Sequence, residues 1–179
     1  DEKGVCAHLL KKCCRPDRSA QPSAKRSLAA LQAALEAKAE EFMHIVKTGR
    51  THLQDATPIR LGQEFKGHAG QAERAIKRLR YAANGLSEVA LGGTAVGTGV
   101  NTHPEFAGRA CAKLSELTGV PVWETSNHFQ AQNTQDTMLA ASGALRGAAV
   151  SLQKIANVLR FLSAGPRAGI AEIELPTVQ

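Results

Sequence analysis

The segment KTGRTHLQDATPIRLGQEF, residues 47–65, contains the polar side chains best suited to chemistry in this sequence. Histidine is the side chain that moves protons most readily near neutral pH, and His52 supplies one here. The hydroxyl of Thr51 can donate a hydrogen bond to a substrate carboxylate, and Arg50 or Gln54 could orient the pair. The opposing interpretation is a loop histidine that hydrogen-bonds backbone carbonyls. The residue types alone therefore leave a catalytic site and a connecting loop both open.

A glycine-rich stretch, LGGTAVGTGVN at residues 91–101, is the second candidate site. Gly92 and Gly97 have the spacing of a phosphate-binding loop. Thr98 and Gly99, however, follow where that motif requires Lys and then Ser or Thr. We therefore expect no nucleotide site. A flexible connection where helices pass closely and a loop that serves an active site both remain as interpretations.

The cysteines do not have the spacing of a metal site. Cys6, His8, Cys13 and Cys14 are close in sequence but lack the paired C-x-x-C pattern of zinc ligands. The cysteine usage instead indicates reduced thiols, and we expect a cytoplasmic protein. No G-x-S-x-G motif indicates a serine nucleophile.

The composition is that of a soluble protein that is long enough for a real core. The 179 residues are 43% hydrophobic and 21% charged, and no apolar run approaches the ~20 residues of a membrane helix. The net charge is +6, but residues 1–26 alone hold seven Lys/Arg against three Asp/Glu. The remainder is nearly balanced and lacks a basic face with stacking aromatics, which argues against nucleic-acid binding.

Two parts of the chain differ in their patterning. Residues 1–24 mix Lys, Arg, Pro, Ser and Cys without periodicity, and we expect a basic, poorly ordered segment. Residues 25–179 carry apolar stripes at helical spacing and predict one all-α domain. The stripes are Leu28, Leu31, Leu35, Ala39, Phe42 and Val46; Phe65, Ala69, Ala72, Ile76, Leu79, Ala83, Leu86 and Ala90; and Met138, Ala141, Leu145, Ala148, Leu152, Ile155, Leu159 and Leu162. A shorter helix is predicted from about Glu105 to Thr118.

Glycines and polar residues predict where the helices end. Gly49 is expected to cap the first helix, and Gly119 the shorter one. Asn127 or Ser126 is the expected N-cap of the third long helix. After Gly165 we expect a loop and a brief extended piece, AEIELP.

The predicted helix lengths indicate an assembly. Two helices of roughly 30 residues would each span about 45 Å. A compact globule of 179 residues has a diameter of about 40 Å. Helices as long as the whole globule cannot bury full-length stripes among themselves, so we predict an oligomeric helical bundle.

Several stretches together resemble class II fumarase (fumarate hydratase), of the aspartase/fumarase superfamily. They are GRTHLQDATPIRLGQEF, LGGTAVGTGVNTHPEFA and SNHFQAQNTQD, and SLQKIANVLRFLSAGPRAGIAEIELPTVQ continues the match. The resemblance runs in order through about residues 27–179. It implies an all-α fold in which long helices of a homotetramer form a central bundle.

The resemblance also implies a reaction, the reversible hydration of fumarate to L-malate in the tricarboxylic acid cycle, with no metal or organic cofactor. Thr51 and His52 fall on the Thr-His of the family motif G-R-T-H-L-Q-D-A. Thr51 would hydrogen-bond a substrate carboxylate, and His52 would lie at that carboxylate and take part in proton handling. The related aspartase carries Gln where His52 stands, which favours a hydratase over an ammonia-lyase.

The same resemblance places other family motifs outside this sequence. The signature G-S-S-x-M-P-x-K-x-N would follow Gln179, and S-G-T-x-x-N-M-N and S-S-N-D would precede the matched part. Gln130 stands where many relatives have Glu. We therefore expect the central part of a fumarase with little activity alone. The alternatives are a non-catalytic bundle-forming piece, an aspartase-like ammonia-lyase, and a basic helical module that binds acidic partners.

Overall fold

The computed structural model describes residues 24–165 and 167–176, and most of these residues are helical. The elements in chain order are α1 (Ala24–Glu41), β1 (Val46–Thr51), β2 (Gln54–Arg60), α2 (Leu61–Ser87), β3 (Glu88–Val89), α3 (Phe106–Thr118), β4 (Trp123–Glu124), α4 (His128–Asn133) and α5 (Asp136–Leu162). The predicted all-α class is confirmed. The basic segment expected at residues 1–24 lies outside the described residues, apart from its last residue.

The described residues divide into two compact units. One unit contains Arg78–Gly143, and the other contains Ala24–Lys77 together with residues 144–176. The second unit holds the candidate site, because the whole segment from β1 to β2 belongs to it. Its core is built from α1, the first part of α2 and the later part of α5.

The core of this second unit comes from the stripes predicted in the sequence. Its buried members are Leu35, Ala39, Leu61, Phe65, Ala69, Ile155 and Leu162. Phe42 meets Phe65 edge to face, with ring centroids 5.2 Å apart, a favourable aromatic geometry. Three helices therefore share one apolar cluster, and the hairpin β1–β2 connects two of them.

The first helix is shorter than its stripe suggested. α1 ends at Glu41, and a turn follows in which the Ile45 amide donates to the Phe42 carbonyl. Val46 begins β1 instead of continuing the helix, and it is 65% exposed. The predicted helix end at Val46 is therefore wrong: the spacing of Val46 matches the stripe, but the helix has already stopped.

The segment interpreted as a loop is an antiparallel hairpin. Val46 pairs with Arg60, and Thr51 pairs with Gln54. The pairing becomes irregular at Gly49, which is buried within β1 and does not cap α1. A Cβ on Gly49 would lie 2.5 Å from the Thr57 carbonyl oxygen. The glycine is thus required by close strand approach, and its predicted role as a helix cap is wrong.

Other helix ends agree with the sequence more closely. α3 ends at Gly119, whose φ of 68° and N–H donated to the Ser115 carbonyl make it the predicted cap. Asn127 is an N-cap whose side chain accepts a hydrogen bond from the backbone amide of Gln130, but the helix that it caps is the short α4. The long α5 begins later, at Asp136, so the expectation that Asn127 caps it is wrong.

Candidate active site at the β1–β2 hairpin

Thr51 and His52 lie at the tip of the hairpin. His52 and Leu53 form its two-residue turn, with φ values of 52° and 62°. Positive φ at both positions is the type I′ geometry, which usually selects Asn-Gly. The left-handed backbone conformation costs roughly 1–2 kcal/mol for a residue that carries a Cβ. Strained backbone of this kind concentrates at functional sites, where the surrounding structure maintains it.

The side chains of Thr51 and His52 are available to a ligand. Both residues are exposed, as is the neighbouring Leu53 at 72%. Within the described ranges, neither side chain has a hydrogen-bond partner. The tip therefore presents a hydroxyl donor and an imidazole side by side to solvent.

Arg50 does not orient this pair as the sequence suggested. Its Nη1 donates a hydrogen bond of 2.7 Å to Glu172 Oε1, and its Nε lies 3.9 Å from Asp55 Oδ1. The hydrogen bond to Glu172 is the main cause that raises the pKa of Arg50. Gln54, the other predicted orienting residue, is exposed. Arg50 instead binds the carboxylate of Glu172, which lies after α5 in the chain.

Lys47 joins the same carboxylate to α2. Its side chain is only 7% exposed, and Nζ lies 3.0 and 3.1 Å from the two carboxylate oxygens of Glu64. The same Nζ lies 2.5 Å from Glu172 Oε2, outside hydrogen-bond directionality, so this contact is ionic. Lys47, Arg50, Glu64 and Glu172 form what we call the hairpin ion cluster. Two cations face two carboxylates in it, so its charge is balanced.

Lys47 and Arg50 both reach the Glu172 carboxylate, although they lie three residues apart on β1. The register shift between Thr48 and Arg50 places one extra residue on β2, so that two β2 residues lie opposite Gly49. Sequence reasoning missed Lys47 and Glu172 altogether, because no local spacing relates a strand cation to an acid so distant in the chain.

The glycine-rich stretch at residues 91–101 lies in the other unit and is held against α4. The Gln132 side-chain amide donates to the Thr94 carbonyl at 2.7 Å, and His128 Nε2 lies 3.0 Å from the Leu91 carbonyl oxygen. A Cβ on Gly97 would lie 2.9 Å from the Phe129 ring. Its glycines therefore permit a close approach, which agrees with a connection between closely passing elements; the alternative of a loop that serves an active site stays a prediction.

Residues 24–165 and 167–176, the described part of the chain, contain neither a metal-binding group nor a membrane-spanning helix. No group of three His, Cys, Asp or Glu there is arranged to hold a metal ion, and the cluster of Cys6, His8, Cys13 and Cys14 lies outside these ranges. No helix in the same ranges is long and apolar enough to cross a membrane. Cys111 is buried on α3, and burial raises the pKa of its thiol, which disfavours the reactive thiolate.

Comparison with known proteins places the hairpin in a family context. Residues 21–179 match the family model described as Lyase. The chain is 54% identical over 147 residues to the class II fumarate hydratase of Neisseria meningitidis. It is 52% identical over 150 residues to that of Methylorubrum extorquens. These matches cover 82% and 84% of this chain but 32% of each relative, so the chain spans about a third of the curated relatives it matches.

Solved structures agree with the sequence comparison. The class II fumarase of Schistosoma mansoni superposes with a TM-score of 0.79 at 33% identity, covering 87% of this chain and 36% of that one. A fumarate lyase:delta crystallin from Brucella melitensis gives a TM-score of 0.78 at 46% identity, covering 86% and 34%. The fold described above is thus a segment of a larger, known architecture.

Proposed function

The chain belongs to the lyase family, and from that membership we propose that it forms the central part of a class II fumarate hydratase. The reaction is the reversible addition of water to fumarate, which gives L-malate. The observation that carries the proposal is the Thr51-His52 pair, exposed at a strained hairpin tip. It occurs in a chain that is 54% identical, over 147 residues, to a protein named fumarate hydratase.

In this proposal, Thr51 and His52 hold one end of the substrate. The Thr51 hydroxyl donates a hydrogen bond to a substrate carboxylate, and His52 lies at the same carboxylate and takes part in proton handling. Removal of the C3 proton of malate pushes negative charge onto a carboxylate. Donors that already point at that position stabilise the developing charge without reorganising.

We propose that the isolated chain turns over little substrate. Thr51 and His52 are exposed, and water weakens the electrostatic stabilisation that the reaction needs. The remaining walls of the site would come from other segments and other subunits. The hairpin then acts as one wall of a composite site in a cytoplasmic enzyme.

Exposed apolar residues on α5 support assembly into a homo-oligomer, which we propose to be a tetramer. Ala148 and Ile155 of the predicted stripe are buried. Leu145 and Leu152 of the same stripe remain 49% and 38% exposed, and Val150 is 60% exposed. Part of the stripe thus has its partners within the chain, and the rest is free to contact helices of other subunits.

A graft tests the hydratase proposal. Residues 24–179 would replace the matching part of the Neisseria meningitidis hydratase, and fumarate formation from L-malate would be followed by absorbance. We expect the graft to be active and His52→Asn within it to reduce turnover by about a hundredfold or more. His44→Asn is the matched control, since His44 is also exposed but lies outside the hairpin, and it should keep the activity.

The outcomes separate the alternatives. A graft that assembles like the hydratase yet has no activity would contradict the proposal and favour a non-catalytic bundle-forming piece. Fumarate formation from L-aspartate in place of L-malate would favour an ammonia-lyase. Robust turnover by the 179-residue chain alone, lost in His52→Asn, would contradict the composite site.

A further inference from the structure

We infer that Glu172 is a positioning residue for the candidate site: its carboxylate fastens strand β1, which ends at Thr51, to the segment that follows α5. The inference rests on the proposed function, because the position of the tip matters only if Thr51 and His52 hold substrate. Among the described residues, the Glu172 side chain forms its ion pairs with Lys47 and Arg50 and not with Thr51 or His52, so it acts through those two cations.

The two oxygens of Glu172 bind the two cations of β1 separately. Oε1 accepts the 2.7 Å hydrogen bond from Arg50 Nη1, and Oε2 lies 2.5 Å from Lys47 Nζ. The Glu172 side chain is only 16% exposed, and those of Lys47 and Arg50 are 7% and 23% exposed. Charge-assisted contacts that are mostly shielded from water are stronger than ordinary surface ion pairs.

Glu172 is in turn held firmly to the end of α5. Its backbone amide donates to the Leu162 carbonyl at 2.9 Å, and the preceding Ala171 amide donates to the Ala164 carbonyl at 2.7 Å. The next residue, Ile173, packs against the apolar core of this unit. The backbone that carries the Glu172 carboxylate is therefore fixed to the end of α5. Strand β1, whose cations bind this carboxylate, is positioned relative to α5 as a result.

The hairpin has few other means of fixing its tip. In β2, six of the seven residues are exposed, and only Ile59 is partly buried. Burial of apolar side chains therefore contributes little to where the strands lie. Near the turn, the contact between Arg50 and Glu172 is one residue away from Thr51. Loss of this contact should let the tip move while the helices remain packed.

Hydrogen exchange of the free chain, measured by NMR, tests the inference. In Glu172→Gln, we expect amides of β1 and β2 to exchange about tenfold faster or more, and the His52 ring signals to shift. Core amides such as those of Phe65 and Ile155 should keep their chemical shifts, because the helices remain packed when the hairpin opens locally. Glu174→Gln is the matched control: it is an exposed glutamate in the same segment and should change neither readout.

A second variant keeps the test decisive if Glu172→Gln does not fold. Arg50→Gln removes the same hydrogen bond from the other side and should give the same acceleration of the hairpin amides and the same shift of the His52 ring signals. The inference is overturned if hairpin exchange in these variants matches that in Glu174→Gln, or if core amide signals shift as much as hairpin signals. No substrate is present in this experiment, so its result is independent of the hydratase assay.

Discussion

Arg50 Nη1 lies 2.7 Å from Glu172 Oε1, although the two residues are 122 positions apart along the chain. The pair joins the strand that ends at Thr51 to the segment that follows α5. Glu172 also contacts Lys47, which reaches on to Glu64 in the first turn of α2. A hairpin that buries little apolar surface thereby obtains its position from paired charges.

Lys47→Met should destabilise the fold by roughly 2–4 kcal/mol. The Lys47 side chain is 7% exposed and balances two carboxylates, and removing one member of a buried ion pair leaves uncompensated charge. Urea denaturation measures the change. The matched control is Lys113→Met: Lys113 pairs with Glu116, but both side chains are more than 60% exposed, so about 1 kcal/mol or less is expected. Equal losses in both variants would contradict a special role for the hairpin ion cluster.

Two glycine-to-alanine changes should act in opposite directions. Gly49→Ala puts a Cβ 2.5 Å from the Thr57 carbonyl oxygen and should cost about 1–3 kcal/mol because backbone has to shift. Gly67→Ala, on the exposed side of α2, meets no atom within 4 Å and should stabilise by roughly 0.5–1 kcal/mol through helix propensity. Thermal unfolding of the two variants checks the signs. A Gly49→Ala variant as stable as the parent would show that the strands can separate without cost.

His68 should make the stability depend on pH. It is 6% exposed, and among the described residues neither ring nitrogen has a hydrogen-bond partner. Burial, and then Lys154, lowers the pKa of His68 below its usual 6.5, although Glu64 acts in the opposite direction.

Because the folded state resists protonation of His68, the free energy of unfolding should be highest with respect to this group above about pH 6.5. It should decline as the pH falls from there through the lowered pKa. His68→Phe, which leaves an aromatic ring beside Phe65, should remove this pH dependence of the free energy of unfolding. At pH 7 the substitution should be neutral or stabilising, since it deletes unsatisfied polar groups. Denaturation at several pH values measures it, with exposed His44→Gln as control. An unchanged slope in His68→Phe would contradict the assignment.

Leu145→Glu should weaken self-association of the chain without unfolding it. Leu145 is 49% exposed on the α5 stripe, so a charge there costs little within one chain but would be buried against a partner helix. Sedimentation velocity should show dissociation at concentrations where the parent chain is associated. Leu117→Glu, at a 71% exposed leucine on α3, should leave association unchanged. A parent chain that stays monomeric throughout would contradict the proposed assembly.

Helical periodicity is local, and for that reason the sequence predicted the helices well. Residues three and four apart meet on one helix face whatever lies elsewhere, so the stripes through Leu35, Phe65 and Ile155 identified core residues directly. Residue type singled out the Thr51-His52 pair, and resemblance to a family motif supplied its expected role. Its geometry was not predicted, and the assignment of its chemistry stays a proposal.

The hairpin was missed because its local signals are weak. Its turn residues, His52 and Leu53, are not the Asn-Gly that announces a type I′ turn. β2 contains Pro58, which argues against a strand, and its residues show no alternation between buried and exposed. A glycine after a helical stripe usually caps the helix, so the sequence alone predicts a cap at Gly49.

The sequence by itself determined the helices, the apolar faces and the family motif, since each depends on neighbouring residues. Only the tertiary structure decided that Glu172 meets Lys47 and Arg50. An ion pair across such a separation depends on where packing brings strand β1 and the segment after α5 in space. No spacing along the chain contains that information, because it arises only when the core has packed.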